Sequence, residues 1–236
     1  MQLLVSVATA ADAVAAVEGG ADIVDAKDPL VGALGAVTPE VFRAIAAVTL
    51  GVRPLSAALG EPRDQREAAH LAATFASAGA VFVKLGFRRD VSSATMTSLL
   101  TSARDASDAQ VVAVAYADVG GAGARRRVLD AAASVRVSGV LLDTARKDGP
   151  GLCDACSPDD LAAWVADVSA AGLLTALAGR LTRADIEQVS GFGVSIVGVR
   201  GAACEGGRTG HVSGRRVRDL RAVCAIAQPR ASALHV

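Results

Sequence analysis

The 236-residue chain has little lysine: of 24 basic side chains, 21 are Arg and three are Lys. It also has no net charge, because 24 acidic side chains match the basic ones. That balance does not suit sequence-independent nucleic-acid binding, which needs a basic face to neutralise phosphates. No apolar run approaches the roughly 18 residues of a membrane span. The opening MQLLVSVATAAD has no basic stretch, and Asp12 and Glu18 break any signal-peptide core, so a soluble cytoplasmic protein is expected. With 20% charged and 52% apolar residues, the chain is too hydrophobic to stay disordered. No linker or low-complexity stretch divides it. The first strand–helix turn also lacks the G-x-G-x-x-G of a dinucleotide-binding sheet.

What is there is a regular alternation. Short β-branched runs at 2–7, 22–26, 53–59, 80–85, 110–116, 139–143, 173–178 and 195–199 read as strands. Ala-rich amphipathic runs at 9–18, 39–48, 65–78, 92–105, 123–137, 158–171, 183–190 and 213–227 read as helices. The strands are continuous apolar runs, as expected where both faces of a sheet are covered. Helix starts carry cap residues followed by Pro or acids, as in Thr38-Pro39-Glu40 and Ser157-Pro158-Asp159-Asp160. Gly20, Gly79, Gly139 and Gly172 mark the stops before the next strands. Strict alternation forces parallel strands, and eight units predict closure into a single (β/α)8 TIM barrel over residues 1–236.

In such a barrel the chemistry sits at the C-terminal ends of the strands. All three lysines fall there: Lys27 after the second strand, Lys84 near the end of the fourth, and Lys147 after the sixth. Residues two apart on a strand share a face, so Asp25 and Lys27 can both point into the mouth, and Asp143 ends the sixth strand at the same rim. A solvated surface is the ordinary place for Lys. Three on one rim, with none on eight outer helices, do not fit that pattern. Arg cannot become an amine nucleophile near neutral pH, whereas Lys can. A free Lys is only about 0.04% neutral at pH 7, a handicap of roughly 4.6 kcal/mol. A second cation about 7 Å away, at an effective dielectric near 20, offsets ~2.4 kcal/mol of that. Clustered lysines can therefore divide the work, one attacking a carbonyl while another moves protons or holds phosphate. Asp25 could place the nucleophile and move protons, or form a structural ion pair with Lys27.

The last two strand–helix loops are the usual phosphate site of this fold. Here they supply Gly179 and Arg180, then Arg200, Gly201, Ala202 and Ala203. Small residues let backbone N–H groups approach an anion, and Arg adds charge. The segment Gly206–His211 could close over that site or simply be a mobile loop. Cys153 and Cys156 form a C-x-x-C, but a zinc site would need Cys204 and His211 as well, so no metal is expected. All four cysteines are expected to stay reduced, Cys224 as a helix-core residue. His70 reads as an outer-helix residue and His235 as part of the tail. Arg125-Arg126-Arg127 reads as a solvated face or a homo-oligomer contact.

Several motifs together resemble one family. They are Asp-Ala-Lys-Asp-Pro (25–29) with Gly-Ala-Leu-Gly-Ala (32–36), Ser-Ala-Ala-Leu-Gly (56–60) and Phe-Val-Lys-Leu-Gly (82–86). They continue with Ala-Tyr-Ala-Asp (115–118), Leu-Asp-Thr-Ala (142–145), Lys-Asp-Gly (147–149), Ala-Leu-Ala-Gly (176–179) and Gly-Val-Arg-Gly-Ala-Ala-Cys (198–204). The pattern is similar to that of the (5-formylfuran-3-yl)methyl phosphate synthases of methanofuran biosynthesis. The resemblance implies a lyase that condenses two molecules of glyceraldehyde 3-phosphate through a lysine Schiff base, with cyclisation, dehydration and loss of one phosphate. It implies the imine on Lys27, proton transfer by Lys84, further active-site roles for Asp25 and Lys147, and no cofactor. Arg180 departs from the pattern, in which a small hydroxyl residue follows Ala-Gly. The residues by themselves are also compatible with another Schiff-base sugar-phosphate aldolase, or with a non-catalytic barrel that binds a phosphorylated metabolite.

Overall fold

Helices begin where the sequence supplies caps. Thr9, Thr38, Asp64, Ser92, Ser157 and Thr182 each accept a first-turn backbone N–H through a side-chain oxygen. Pro39 and Pro158 follow two of these caps, in the first turn where a missing N–H costs nothing. The structure, a computed structural model, describes residues 1–87, 90–146 and 148–226. Lys147 and His235 lie outside the described residues.

The described strands are β1 (Gln2–Val7), β2 (Ile23–Ala26), β3 (Leu55–Ala58), β4 (Phe82–Leu85), β5 (Gln110–Tyr116), β6 (Gly139–Asp143), β7 (Leu174–Leu177) and β8 (Ile196–Val199). All neighbours are parallel, and β8 pairs with β1 (Gln2 opposite Ile196), so the sheet closes into a barrel. Around it run α1 (Ala10–Glu18), α2 (Pro39–Thr49), α3 (Gln65–Ser77), α4 (Ser93–Asp105), α5 (Gly121–Val135), α6 (Leu152–Ala155), α7 (Pro158–Ala170), α8 (Arg183–Val189) and α9 (Gly214–Ile226). This is the (β/α)8 TIM barrel that the alternation predicts. Two details go beyond it. One is the single-turn α6. The other is a hairpin of β9 (Cys204–Glu205) and β10 (His211–Val212) in the loop after β8.

The larger core lies between the strands and the helices. Leu3, Val5, Val83 and Leu85 face outward from the barrel wall there, and Phe42 of α2 meets Phe75 of α3 edge-on with ring centroids 4.9 Å apart. Inside the barrel, a smaller cluster joins Leu34, Ala58, Val114 and Leu141. Barrels usually fill this space with bulky branched residues. Here β3, β7 and β8 contribute Ser56, Ala58, Ala176 and Gly198 instead, with Ala178 just after β7. The space they leave is a cavity of about 590 Å³ that opens at the C-terminal ends of the strands. Among the described residues, no helix is long and apolar enough to cross a membrane.

Candidate active site

The cavity floor is apolar, formed by Leu4, Ile23, Phe82, Val112, Leu141 and Ile196. Polar groups begin one layer higher. Asp25 on β2 is fully buried, with Ser6 of β1 and Ser56 of β3 opposite it in register. The Ser6 hydroxyl donates to Asp25 Oδ2 at 2.8 Å. Lys84 Nζ reaches Asp25 Oδ1 at 2.7 Å. Lys84 belongs to β4, two strands away. Its side chain can cross β3 because β3 offers only Ser56 and Ala58 on the inner face. Asp25 therefore pairs with Lys84 and not with Lys27, the partner that sequence spacing suggests.

Lys27 continues the line of β2, its backbone N–H donating to Val7 O at 3.0 Å. Its Nζ lies 3.8 Å from Asp143 Oδ2. β2 and β6 are four strands apart in a ring of eight, the largest separation the ring allows. Lys27 thus lies across the lumen. Asp143 Oδ1 also accepts the Thr144 N–H at 2.7 Å, which fixes the carboxylate. The result is two lysine–aspartate pairs at the mouth, one along the wall and one across the opening. A charge removed from water in this way is stabilised only by close partners, so these side chains have defined positions.

The two phosphate-type loops lie on the other side of the mouth. Gly179 has φ +110°, and a Cβ there would come within 3.1 Å of the Thr144 backbone nitrogen, so only glycine fits. Arg180 is also left-handed (φ +59°), and its guanidinium donates to the Gly149 carbonyl in the loop after β6. Gly179, Arg180, Arg200, Gly201 and Ala202 line the cavity. Ala203, by contrast, the last residue of the 3₁₀ turn Gly201–Ala203, is buried and does not line it.

Arg200 differs from the expectation that it offers charge to an anion. Its Nε donates to Arg208 O at 2.7 Å, its Nη1 to Ser6 O and Asp12, and its Nη2 to Asp12 and Gly210 O. These contacts use the five N–H donors of a guanidinium. Arg200 holds loops together. The nearby cation that remains is Arg208, which also lines the cavity.

Other groups carry no strong sequence signal. The Ser56 hydroxyl is fully buried, lines the cavity and has no hydrogen-bond partner among the described residues. Tyr116 ends β5 and donates to Glu61 Oε1 at 2.9 Å; burial and the Glu61 charge hold its phenol proton far above the ordinary range. Asp118 accepts the backbone N–H groups of Ala145 and Arg146 at 2.7 and 2.8 Å, ordering the loop that leads to Lys147. Their trace in the sequence was their place in the motifs 56–60 and 115–118, which assigned them no role. The C-x-x-C cysteines sit in and beside α6. Burial and Asp185 push the Cys153 thiol up to about 12, and Cys156 Sγ accepts from Arg125 at 3.2 Å.

Comparison with known proteins adds to this geometry. The sequence model of a family described as 4-HFC-P synthase matches residues 3–221. The chain is 37% identical over 230 residues to the (5-formylfuran-3-yl)methyl phosphate synthase of Methanothermobacter thermautotrophicus, covering 94% of this chain and 98% of that one. It is 36% identical over 238 residues to the protein of that name from Methanocaldococcus jannaschii, covering 95% and 100%. Among solved structures, phosphoribosyl anthranilate isomerase from Thermus thermophilus superposes with a TM-score of 0.67 at 18% identity, covering 97% and 100%. A 3-hexulose-6-phosphate synthase from Salmonella typhimurium gives 0.65 at 16%, with the same coverage. At these identities the structural likeness is one of fold alone.

Proposed function

The chain belongs to the 4-HFC-P synthase family, and from that membership we propose that it makes (5-formylfuran-3-yl)methyl phosphate from two molecules of glyceraldehyde 3-phosphate. The observation that carries the assignment of roles is the pair of lysine–aspartate contacts at one barrel mouth.

The overall balance is two C3 phosphates giving one C6 furan phosphate, one inorganic phosphate and two waters. In our reading Lys27 Nζ attacks the carbonyl of one triose phosphate after giving a proton to Asp143, 3.8 Å away. Loss of water from the carbinolamine leaves an imine, which makes the neighbouring C–H acidic. Lys84, held against Asp25 at 2.7 Å, moves protons at that carbon and at the oxygens that leave. The resulting carbon nucleophile adds to the aldehyde of the second triose phosphate. Ring closure, dehydration and elimination of one phosphate complete the furan, so the enzyme class is a carbon–oxygen lyase acting on phosphates. Gly179, Arg180, Gly201 and Ala202 are the proposed phosphate contacts. Lys147 is proposed as a further active-site amine on the strength of its motif alone.

The test is borohydride trapping with glyceraldehyde 3-phosphate, followed by peptide mass mapping. A reduced triose-phosphate adduct on Lys27 is expected, and it should disappear in Lys27→Ala together with the furan chromophore. An adduct on Lys84 would reverse the two roles. A simple aldol product without release of phosphate would make the chain a sugar-phosphate aldolase. Full turnover by Lys27→Ala would end the Lys27 assignment.

A further inference from the structure

The hairpin after β8 is built to hold one side chain over the cavity. Its tip turns through Gly206 and Gly207, at φ +77° and +78°, and a Cβ at Gly210 would overlap the Glu205 carbonyl. The tip therefore has one shape. Arg200 grips it from below on both sides, at Arg208 O (2.7 Å) and at Gly210 O (3.2 Å). Between those two anchors stands Arg208. Its backbone passes within 3.9 Å of where a Gly201 Cβ would be, directly above the 3₁₀ turn of the last loop. From there the side chain leans toward the loop after β2, and one Nη2 N–H donates to Gly32 O at 2.8 Å.

The rest of the Arg208 guanidinium is not engaged. Among the described residues, Nε and Nη1 have no hydrogen-bond partner, although the side chain is partly buried and lines the cavity. Desolvation and the neighbouring Arg200 both disfavour this charge, while Asp143 and Asp28 favour it. A cation held where its own surroundings oppose it, lining the cavity beside the last loop with Nε and Nη1 unengaged among the described residues, is suited to a ligand that brings negative charge. A phosphate monoester presents the matching pair of oxygens. Of the other arginines that line the cavity beside Arg200, Arg180 is exposed and bonded to Gly149, while Arg183 and Arg216 pair with Glu187 and Glu205.

We infer that Arg208 is the specificity-determining guanidinium that reads the phosphate of the substrate, seated opposite Gly201 and adjacent to the loop that carries Lys27. The inference rests on the proposed function only in taking the substrate to be a phosphate ester. It goes beyond that reading by assigning the charged contact to a residue of the hairpin and not to Arg200.

The experiment is calorimetric titration of inorganic phosphate into the full chain and into Arg208→Lys, Arg208→Gln and Arg208→Ala, alongside steady-state kinetics with glyceraldehyde 3-phosphate. Loss of a charge-assisted fork should weaken phosphate binding on the order of 10–100-fold in the Gln and Ala variants. Lys should recover part of the loss, because it keeps the charge and loses the fork. KM should rise far more than kcat falls, and added guanidinium should partly restore Arg208→Ala. Gln is too short to reach Gly32 O and carries no charge, whereas Lys keeps the charge, so the Lys–Gln comparison reads the charge, and both remain informative if Ala disturbs the hairpin. Phosphate affinity within about twofold of the parent in Arg208→Gln would overturn the inference, as would a fall in kcat at constant KM. Phosphate binding needs no turnover, so the two readings fail separately. Arg208-dependent binding without furan formation would sink only the proposed reaction. Furan formation with Arg208-independent binding would sink only this inference.

Discussion

Asp25 shows how much one buried carboxylate organises. It holds Lys84 with one oxygen and accepts from Ser6 with the other, fully out of solvent. Replacing it by Asn keeps the shape and removes the charge opposite a buried ammonium. Removing one partner of a buried pair typically costs about 3–5 kcal/mol. For a chain of this size that corresponds to a Tm lower by roughly 6–20 °C, at about 2–4 °C per kcal/mol. If Lys84 and Asp25 carry proton transfer, kcat should also drop on the order of 10²–10⁴-fold. Differential scanning calorimetry and steady-state assay of Asp25→Asn check both, and an unchanged Tm would show that the pair is not an electrostatic anchor. Lys27 and Lys84 were legible as rim lysines because Arg fills all but one of the other basic positions. Their partners were not. Lys84 finds Asp25 because Ser56 and Ala58 are short, and Lys27 finds Asp143 because the ring closes; neither fact is local to the residues concerned. In the same way, nothing in Gly-Val-Arg-Gly or Gly-Gly-Arg-Thr distinguishes Arg200, whose nitrogens all donate to the protein, from Arg208, where only Nη2 does among the described residues.

Elements were more legible than residues. Alternating β-branched and Ala-rich runs, with caps at their junctions, were sufficient to place eight strands and eight outer helices to within a few residues. The parts the pattern missed are those too short to show a period: the single turn of α6 and the two-residue strands β9 and β10. α2 and α3 support the barrel without lining the cavity, and this is testable. Phe42→Ala removes a fully buried ring that meets Phe75. Such a truncation costs about 3–5 kcal/mol. Denaturant unfolding should show this as a lower midpoint, with KM for the substrate left within about twofold. A large KM change would mean that α2 sets the position of the Lys27 loop that precedes it.

At the scale of the whole molecule, two cysteine thiols bear on stability at alkaline pH. Burial pushes the Cys153 thiol up to about 12 and the Cys224 thiol up to about 11, against an ordinary value of 9.0. A raised value means that the folded chain keeps its proton at a pH where the unfolded chain has lost it. The associated stability is fully present below about pH 9 and declines as pH rises through 9 toward 11 and 12. Urea midpoints measured at pH 7, 9 and 10.5 should be level over the first interval and fall over the second. Cys153→Ser with Cys224→Ala should flatten that fall, and an unaltered slope would place the sensitivity elsewhere. The ring also bears on how the protein is made. The ribosome delivers β4 soon after β2, so Lys84 and Asp25 can meet early in a nascent chain. Lys27 must wait until β3, β4, β5 and β6 have all emerged before Asp143 exists, and β1 must wait for β8. Catalytic competence therefore does not accrue strand by strand. It arrives late in translation, when the far wall of the barrel is finally in place.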